Sequence, residues 1–302
     1  MREVTNLTNL TNPPGVRPLE NLTIMDDYLF GIVMGDMRNL KPLLEAVLGV
    51  RIKKIKTVET QRSEKPGYKS RGIRMDLYAE DDEGQLFNAE VQKVDKGNLP
   101  KRIRYYQSTI DITVLAPGAD YKKLRKSCVI FICGFDYFKK DRYLYTFSNS
   151  CREDPGLELE DETLKIVVNI TGKVGDISPE LREIIHYFQT GEPGGAYTRQ
   201  LEEAVNKVKT SEERRREYMI AMCREMEIRE EGREEGIREG HREGRKEGHR
   251  EGRREGIRKG REEGTFSTLI SLVKKGILSV KTAAEEAGVS EEEFTKRYLK
   301  KA

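Results

Sequence analysis

The chain has 302 residues, about twice the usual length of a domain, so we expect more than one structural unit. Charged residues make up 35% and hydrophobic residues 36%, which predicts a normal core in one region and a coreless charged segment in another. The formal net charge is only +3, because 55 basic residues face 52 acidic ones. This balance excludes attraction of nucleic acid by the chain as a whole and leaves only local basic patches.

Targeting and redox signals are absent from the sequence. No apolar run approaches the length of a membrane span, and the first residues lack the apolar core of a signal peptide. The four cysteines show no C-x-x-C spacing and the three histidines are scattered, which argues against a zinc site or a disulfide framework. We therefore expect a soluble protein of the reducing cytoplasm, without a membrane partner. The polar residues 1–20 indicate a flexible leader.

Residues 21–195 have the composition of an ordinary α/β domain. The patterns predict strands over 52–60, 73–80, 85–93, 128–133, 142–147 and 163–170, and helices over 40–48, 99–115 and from 179 to about 190. Gly49 is expected to end the first of these helices. Ser178 before Pro179 is typical of a helix start, and Gly191 marks the end of that helix.

The predicted hairpin of residues 73–80 and 85–93 carries the most suggestive chemistry. A three-residue loop, Asp82 to Gly84, places Asp76 directly opposite Glu90, at about 5 Å between their Cβ atoms. Gln92 lies two residues beyond Glu90 and therefore points to the same face. The apolar face, which we expect to be the core side of the hairpin, carries Met75, Leu77, Ala79, Phe87, Ala89 and Val91.

Two adjacent carboxylates without a basic partner repel each other, and a hard divalent cation relieves that repulsion. Oxygen ligands without histidine or cysteine favour Mg²⁺ or Mn²⁺ over zinc. Such an ion can polarise a phosphodiester and lower the pKa of a bound water. The other interpretation is a pair of surface acids on a solvated face of the hairpin, and spacing alone favours that one.

Two motifs on this hairpin, RMDLY at 74–78 and NAEVQ at 88–92, resemble the PD-(D/E)XK nuclease superfamily. More closely, the chain resembles the Rpn group of recombination-promoting nucleases and transposases, over about residues 21–150. Features that fit outside the hairpin are D-x-x-F at 27–30, Lys69, RIRYYQS at 102–108 and G-x-x-Y at 118–121.

The resemblance implies an α/β fold of the PD-(D/E)XK type, with a mixed central sheet flanked by helices. It implies that Asp76 and Glu90 bind the metal, Mg²⁺ with Mn²⁺ or Ca²⁺ as alternatives, and that Gln92 helps to place the attacking water. Gln92 stands where the superfamily has a lysine, although glutamine is usual for this group. Glutamine supplies no positive charge, so Lys69, Lys93 or Arg74 could supply it.

Further candidates surround this motif. Asp27 is either an additional acid at the metal or the N-cap of a helix. Candidates for contact with DNA phosphates, with a solvated helix face as the other interpretation, are Arg74, Lys101, Arg102, Arg104 and Tyr106. One of the neighbouring tyrosines, Tyr105 or Tyr106, is expected on the core face of its helix.

Residues 196–231 indicate a helical connector, and residues 232–264 form a repeat with nine glycines at a spacing of four. Each glycine weakens a helix by up to ~1 kcal/mol relative to alanine, whereas each Glu–Arg pair three residues apart contributes only ~0.2–0.5 kcal/mol. A partner helix along the glycines would stabilise this segment, which suggests a right-handed homo-oligomer. A flexible charged linker is the other interpretation.

Residues 265–302 regain apolar side chains and predict a small helical tail that resembles a helix-turn-helix. Ser290 and Glu293 have the spacing of a capping box. Three glutamates, 291–293, would begin the recognition helix and meet the negative potential of a DNA groove. We therefore favour a protein-docking tail over a reader of DNA.

Together these patterns predict a divalent-metal-dependent DNA endonuclease that hydrolyses phosphodiester bonds and is linked to recombination. The alternative is an oligomeric protein that retains a nuclease-like domain and binds DNA or a partner without cutting it. A transposase receives little support, because no strand-transfer module accompanies the carboxylate pair.

Overall fold

A computed structural model describes residues 16–65 and 72–296, and its contacts divide the chain into two compact units, Met1–Cys223 and Arg224–Ala302. The strands are β1 Ile55–Glu64, β2 Ile73–Asp81, β3 Leu86–Gln92, β4 Ser127–Cys133, β5 Leu144–Phe147 and β6 Thr163–Asn169. The α-helices are α1 Asp27–Met34, α2 Met37–Leu48, α3 Leu99–Val114, α4 Pro179–Thr190, α5 Ala196–Thr210, α6 Glu212–Lys274, α7 Val280–Ala287 and α8 Glu291–Phe294. Short 3-10 helices cover Leu19–Asn21 and Tyr121–Lys123.

The six strands form one sheet in the order β1-β2-β3-β4-β6-β5. The first three strands are antiparallel neighbours, and β5 at the far edge is antiparallel to β6. Parallel pairs join β3 to β4 and β4 to β6. A parallel pair requires a crossover connection, and α3 provides the one between β3 and β4. The mixed sheet flanked by helices confirms the predicted fold class.

The larger core lies on one face of the sheet, beneath α1, α2, α4 and α5. Leu77 and Phe87 enter it from the hairpin, and Leu201 enters it from α5. Met219 in the second turn of α6 is buried in the same core. The first compact unit therefore extends to Cys223, whereas the sequence predicted a nuclease domain that ends at 195.

The second core lies on the opposite face, where α3 packs against the sheet. Ile103 and Tyr106 of α3 contact a cluster that includes Tyr78, Val129 and Phe131. The expectation of a single core face for the hairpin is therefore wrong, because α3 covers the face that carries the acidic residues.

Met75 also departs from the predicted alternation. It lies in the second core with Ile73, although simple alternation places it on the same face as Leu77. The β1–β2 register places Gln61 opposite Asp76, and Gln61 has a φ of 54°, in the left-handed region that residues other than glycine rarely occupy. The strand pair is thus irregular beside Asp76, at the point where Met75 changes sides.

The ends of several elements follow from local chemistry. Gly49 has a φ of 68° and ends α2 as predicted. Ser178 Oγ accepts a hydrogen bond from the Leu181 backbone N–H (3.1 Å) at the start of α4, and Gly191, with a φ of 78°, ends that helix. The predicted connector over 196–231 is not one helix, because Ser211 separates α5 from α6.

Part of the predicted leader belongs to the fold. Residues 1–15 lie outside the described part of the chain. Leu19 is buried in the larger core, and Arg17 forms an ion pair with Asp26 (3.1 Å). The Tyr218 hydroxyl donates a hydrogen bond to the Arg17 carbonyl (2.8 Å). The prediction of a flexible leader up to residue 20 is therefore wrong for the segment from Leu19.

The glycine repeat lies entirely within helix α6. Ion pairs three or four residues apart along it are Glu230–Arg233, Glu239–Arg242, Glu247–Arg250, Glu255–Lys259 and Arg258–Glu262. A Cβ atom added at any of the nine glycines would meet no atom within 4 Å outside the helix backbone and the chain neighbours. In the described chain the glycine column is therefore an open stripe, which winds around the helix by about 40° per repeat because four residues advance an α-helix by about 400°.

The helical tail has a core of its own, formed by Leu269, Ala283, Ala284 and Phe294 with partly buried neighbours. Ser290 Oγ accepts a hydrogen bond from the Glu293 backbone N–H (3.2 Å), as the predicted cap requires. Within residues 16–65 and 72–296, no helix has both the length and the apolar character that a bilayer span requires.

Candidate active site

The candidate site is built at the end of the β2–β3 hairpin. The Asp81 N–H donates to the Gln85 carbonyl (3.1 Å), and Leu77 pairs with Ala89, so the register predicted from the three-residue loop is confirmed. Beyond the last paired residues, the Asp76 N–H donates to Glu90 Oε1 (2.9 Å). The two acidic residues are thus joined directly at the end of the hairpin.

The acidic residues are buried. Asp76 is 7% exposed, Glu90 2% and Gln92 5%, which excludes a pair of solvated surface acids. Asn88, two residues before Glu90, donates through its side-chain amide to Glu90 Oε1 (3.0 Å) and to the Leu77 carbonyl (3.1 Å). Sequence reasoning missed Asn88, although its spacing from Glu90 places both on one face of β3.

Arg102 is the basic partner of this carboxylate pair. Its Nη2 lies 3.5 Å from Glu90 Oε2 and donates to the Tyr106 hydroxyl (3.2 Å). Its Nη1 donates to Gln92 Oε1 (2.5 Å). The premise that the carboxylates lack a basic partner is therefore wrong, because α3 brings Arg102 over the hairpin.

Two of the other predicted sources of positive charge, Lys93 and Arg74, have acidic partners of their own. Lys93 Nζ forms an ion pair with Asp26 Oδ2 (2.6 Å). Arg74 Nη2 lies 3.5 Å from Asp27 Oδ2. Lys69 lies outside the described residues.

Asp27 does not cap α1. The N-cap position belongs to Asp26, and Asp27 is the first residue of the helix. The Asp26 carboxylate also accepts a hydrogen bond from the Thr23 backbone N–H (2.7 Å), which fixes the chain before α1. Asp27 is left beside the same cavity as Asp76, which supports the interpretation that it is a further acid of the site.

A cavity of about 430 Å³ brings most of the predicted residues together. Those at its wall are Asp27, Arg74, Asp76, Glu90, Gln92, Arg102 and Tyr106, with Met25, Asp26, Val91, Lys93, Val94 and Lys96 between them. A neighbouring cavity of about 500 Å³ shares Arg74, Lys96, Arg102 and Tyr106 with the first and adds Lys101 and Arg104. The predicted phosphate-binding residues therefore lie along the walls of two adjoining cavities.

Tyr106 is a core residue with one polar end in the site. Its ring packs edge-on against Phe131 at 5.8 Å between centroids, and its hydroxyl donates to the Arg74 carbonyl (3.3 Å). Burial, followed by the charge of Glu90, raises the pKa of Tyr106 to about 12, so the hydroxyl stays protonated at neutral pH.

Burial makes the charged forms of both carboxyl groups costly. It raises the pKa of Asp76, and the nearby charge of Asp27 raises it further. Burial also raises the pKa of Glu90, and the charge of Asp76 adds to that shift. Arg102 acts in the opposite direction on both groups. A cation placed between the two carboxylates would relieve their repulsion.

The residues present fit a hard divalent cation with a partly hydrated shell. Two buried carboxyl groups supply oxygen ligands, and their pKa values are raised first by burial and then by a neighbouring negative charge, which a bound cation would offset. In the described ranges, no group of three or more His, Cys, Asp or Glu residues is arranged to hold an ion. Water or phosphate oxygens must complete the shell, as is usual for Mg²⁺.

The mixed sheet with a buried carboxylate pair beside basic cavity walls defines a nuclease-like α/β domain. Residues 24–162, a little under half of the chain, match the family model described as PD-(D/E)XK nuclease family transposase, so this segment is similar to that family. The match is consistent with the resemblance to the Rpn group. No curated protein and no solved structure matches the chain.

The buried pair predicts a stability that falls with pH. Because the pKa of Asp76 and Glu90 is raised by folding, the native state holds protons that the unfolded chain has lost above about pH 4. In EDTA, the free energy of unfolding should therefore decrease between about pH 5 and pH 8. At pH 8 the free energy of unfolding of Asp76→Asn should exceed that of the wild type by roughly 1.4 kcal/mol or more, which is the equivalent of one pKa unit.

Urea denaturation at both pH values measures this difference. Asp154→Asn, at an exposed aspartate outside the cavity, is the matched control and should follow the wild type. An equal pH dependence of wild type and Asp76→Asn would contradict the electrostatic description of the pair.

Proposed function

We propose that the domain is a divalent-metal-dependent DNA endonuclease that hydrolyses phosphodiester bonds. The observation that carries this proposal is the pair Asp76 and Glu90, joined by a hydrogen bond and buried at the floor of a cavity with basic walls. Buried acids of this kind are costly to folding, and functional sites are where proteins retain such perturbed groups.

Asp76 and Glu90 would hold Mg²⁺, with Mn²⁺ and Ca²⁺ as alternative occupants, and Asp27 would add negative charge at the rim. When bound, the ion lowers the pKa of a coordinated water and stabilises charge on the leaving oxygen. Asn88 fixes the Glu90 carboxylate through its hydrogen bond to Oε1. The chain thus preorganises the ligands before substrate arrives.

The substrate in this proposal is DNA, bound through its phosphates. Arg74, Lys96, Lys101, Arg102 and Arg104 line the second cavity, which adjoins the carboxylate floor. Phosphate contacts come mainly from Lys and Arg side chains, and a local group of five basic residues can supply them although the whole chain is nearly neutral. A link to recombination and a reducing cytoplasmic setting, which the four free cysteines fit, belong to the same proposal.

The competing proposal is a non-catalytic protein that binds DNA or a partner with the same domain. The raised pKa of the buried acids favours the enzyme, because a binding surface has no need of two carboxyl groups whose charged forms burial makes costly.

We also propose that the glycine column of α6 packs against a second copy of this chain, in parallel orientation. The residue before the glycine is Glu at eight of the nine positions, and the residue after it is Arg, His, Ile or Thr. These two columns flank the glycines at about 100° on either side. In a parallel pair of helices, the glutamate column of one copy lies beside the column of Arg, His, Ile and Thr of the other copy. In an antiparallel pair, the two glutamate columns lie beside each other and repel. Charge complementarity therefore favours a parallel partner.

Asp76→Ala should abolish divalent-dependent cleavage, because one of the two carboxylate ligands is lost. We expect at least a roughly 100-fold loss of plasmid nicking in Mg²⁺ or Mn²⁺, with EDTA and Ca²⁺ reactions run in parallel. Asp154→Ala, at an exposed position, is the control, and circular dichroism checks that both variants fold. Undiminished nicking by Asp76→Ala would end the endonuclease proposal. Binding of DNA by the wild type without cleavage in any of these ions would favour the non-catalytic alternative.

Replacing Lys101 and Arg104 together by glutamine should weaken DNA binding without changing sequence preference. Each phosphate contact adds about 0.9 to the slope of log affinity against log salt, so the slope should fall by about 1 to 2. Fluorescence anisotropy in EDTA at several salt concentrations measures it. The matched control replaces the exposed Lys122 and Lys123 in the 3-10 helix Tyr121–Lys123 by glutamine. An equal change of the salt slope in both variants would contradict specific binding of DNA phosphates by the second cavity.

Gly244→Leu with Gly248→Leu should shift the full chain towards monomer, because bulky side chains prevent close approach along the column. Arg242→Leu with Lys246→Leu alters the opposite side of the same helix turns and serves as the control. Sedimentation equilibrium distinguishes them. A monomeric wild type, or equal shifts in both variants, would contradict the packed glycine column.

A further inference from the structure

We infer that Arg102 supplies the positive charge that a lysine at position 92 would give, and that Gln92 is a positioning residue that holds Arg102. Gln92 was assigned to place the attacking water, but both ends of its amide are engaged. Its Oε1 accepts from Arg102 (2.5 Å), and its Nε2 donates to the Val94 carbonyl (2.9 Å). Within the described residues, both polar ends of the Gln92 amide therefore have protein partners, although the side chain lies at the cavity wall.

The Arg102 guanidinium is held from several sides. It contacts Gln92, Glu90 Oε2 (3.5 Å) and the Tyr106 hydroxyl (3.2 Å). Its Cζ lies 5.1 Å from the centroid of the Phe131 ring, within the range of a cation–π contact. Arg102 and Tyr106 stand one turn apart on α3, so the helix itself fixes their separation. A charge held this firmly needs little reorganisation when a substrate binds.

Arg102 can reach a substrate as well as the carboxylates. Its side chain is 28% exposed and lines both cavities. A guanidinium has five N–H donors, and the contacts given by the described residues occupy at most three of them. The remaining donors suit the oxygens of one phosphate group, which guanidinium can bind in bidentate fashion.

The other cations at the cavity wall are less suited to this role. Lys93 is paired with Asp26 at 2.6 Å, and Arg74 lies beside Asp27 at the rim. Among the described residues, Arg102 is the cation with an ion pair to Glu90. The ion pair of Glu90 therefore comes from α3 rather than from β3.

This inference rests on the proposed function, and its chemistry is electrostatic. In hydrolysis the water oxygen bonds to phosphorus, the bond from phosphorus to the leaving oxygen breaks, and the leaving oxygen gains a proton from the water. Negative charge is redistributed over the phosphate oxygens as this occurs. Arg102, as the catalytic residue that touches the phosphate, stabilises that charge, while Gln92 acts only through Arg102.

A charge exchange between the two positions tests the inference. The variants are Arg102→Gln, Gln92→Lys, the two combined, and Arg152→Gln as a control at an exposed arginine outside both cavities. Cleavage of plasmid at saturating Mg²⁺ gives kcat, and calorimetry gives the Mg²⁺ affinity. Anisotropy with a short duplex in Ca²⁺ gives the DNA affinity independently of cleavage.

We expect Arg102→Gln to lower kcat by about 10²–10³-fold, as for loss of one preorganised donor. Its Mg²⁺ affinity should equal or exceed that of the wild type, because the removed charge repels the ion. Arg102→Gln should also bind DNA more weakly. Adding Gln92→Lys to it should raise kcat by at least about tenfold and restore the DNA affinity, since a positive charge returns beside the carboxylate pair. Arg152→Gln should match the wild type in each measurement.

Wild-type kcat in Arg102→Gln, or no recovery in the double variant, would overturn the inference. Loss of Mg²⁺ binding in Arg102→Gln would also overturn it, because that result assigns Arg102 to support of the carboxylates alone. Absence of cleavage in the wild type would refute the proposed endonuclease instead. In that case the DNA affinities test whether Arg102 contacts a DNA phosphate, and equal affinities of the wild type and Arg102→Gln would contradict that contact.

Discussion

The burial of two carboxyl groups side by side, joined through the Asp76 N–H and Glu90 Oε1, is the constraint on which the rest of the site depends. Desolvation disfavours their charged forms, so each neighbouring group either relieves that cost or increases it. Asn88 and Arg102 relieve it, and Asp27 increases it. A fold that keeps such a pair must hold the surrounding groups rigidly, since loss of one compensating contact leaves a buried charge exposed to its full desolvation cost.

The rigidity comes from topology. Because β3 and β4 are parallel neighbours, the chain must cross over between them, and the crossover is α3. This helix buries Ile103 and Tyr106 against the sheet and thereby brings Arg102 over the hairpin. The same packing that completes the second core therefore also supplies the basic partner of the carboxylates. Core and site share one helix, so their stabilities are coupled.

Local signals in the sequence were sufficient for the register and for most helix ends. The turn length placed Asp76 opposite Glu90, and Gly49 and Gly191 end their helices through left-handed backbone conformations. Contacts between distant segments were not predictable in this way. The position of α3 over the acidic face, the burial of Leu19 and the change of side at Met75 each depend on packing partners remote in sequence. Arg102 was identified as a basic candidate, but its partners were not.

The glycine repeat is a regular sequence pattern that no contact within the described chain explains. Nothing distant in the described chain packs on its glycines, and the exposed ion pairs along it contribute only a few tenths of a kcal/mol each. Nine glycines destabilise the helix by more free energy than such ion pairs contribute, so an isolated helix of this composition is only weakly stable. Yet the glutamate column keeps strict phase with the glycines over the whole repeat, with one lysine as the exception. A flexible linker requires a polar composition but no fixed spacing between glycine and glutamate, whereas a helix that packs against a partner along a winding stripe of glycines requires both.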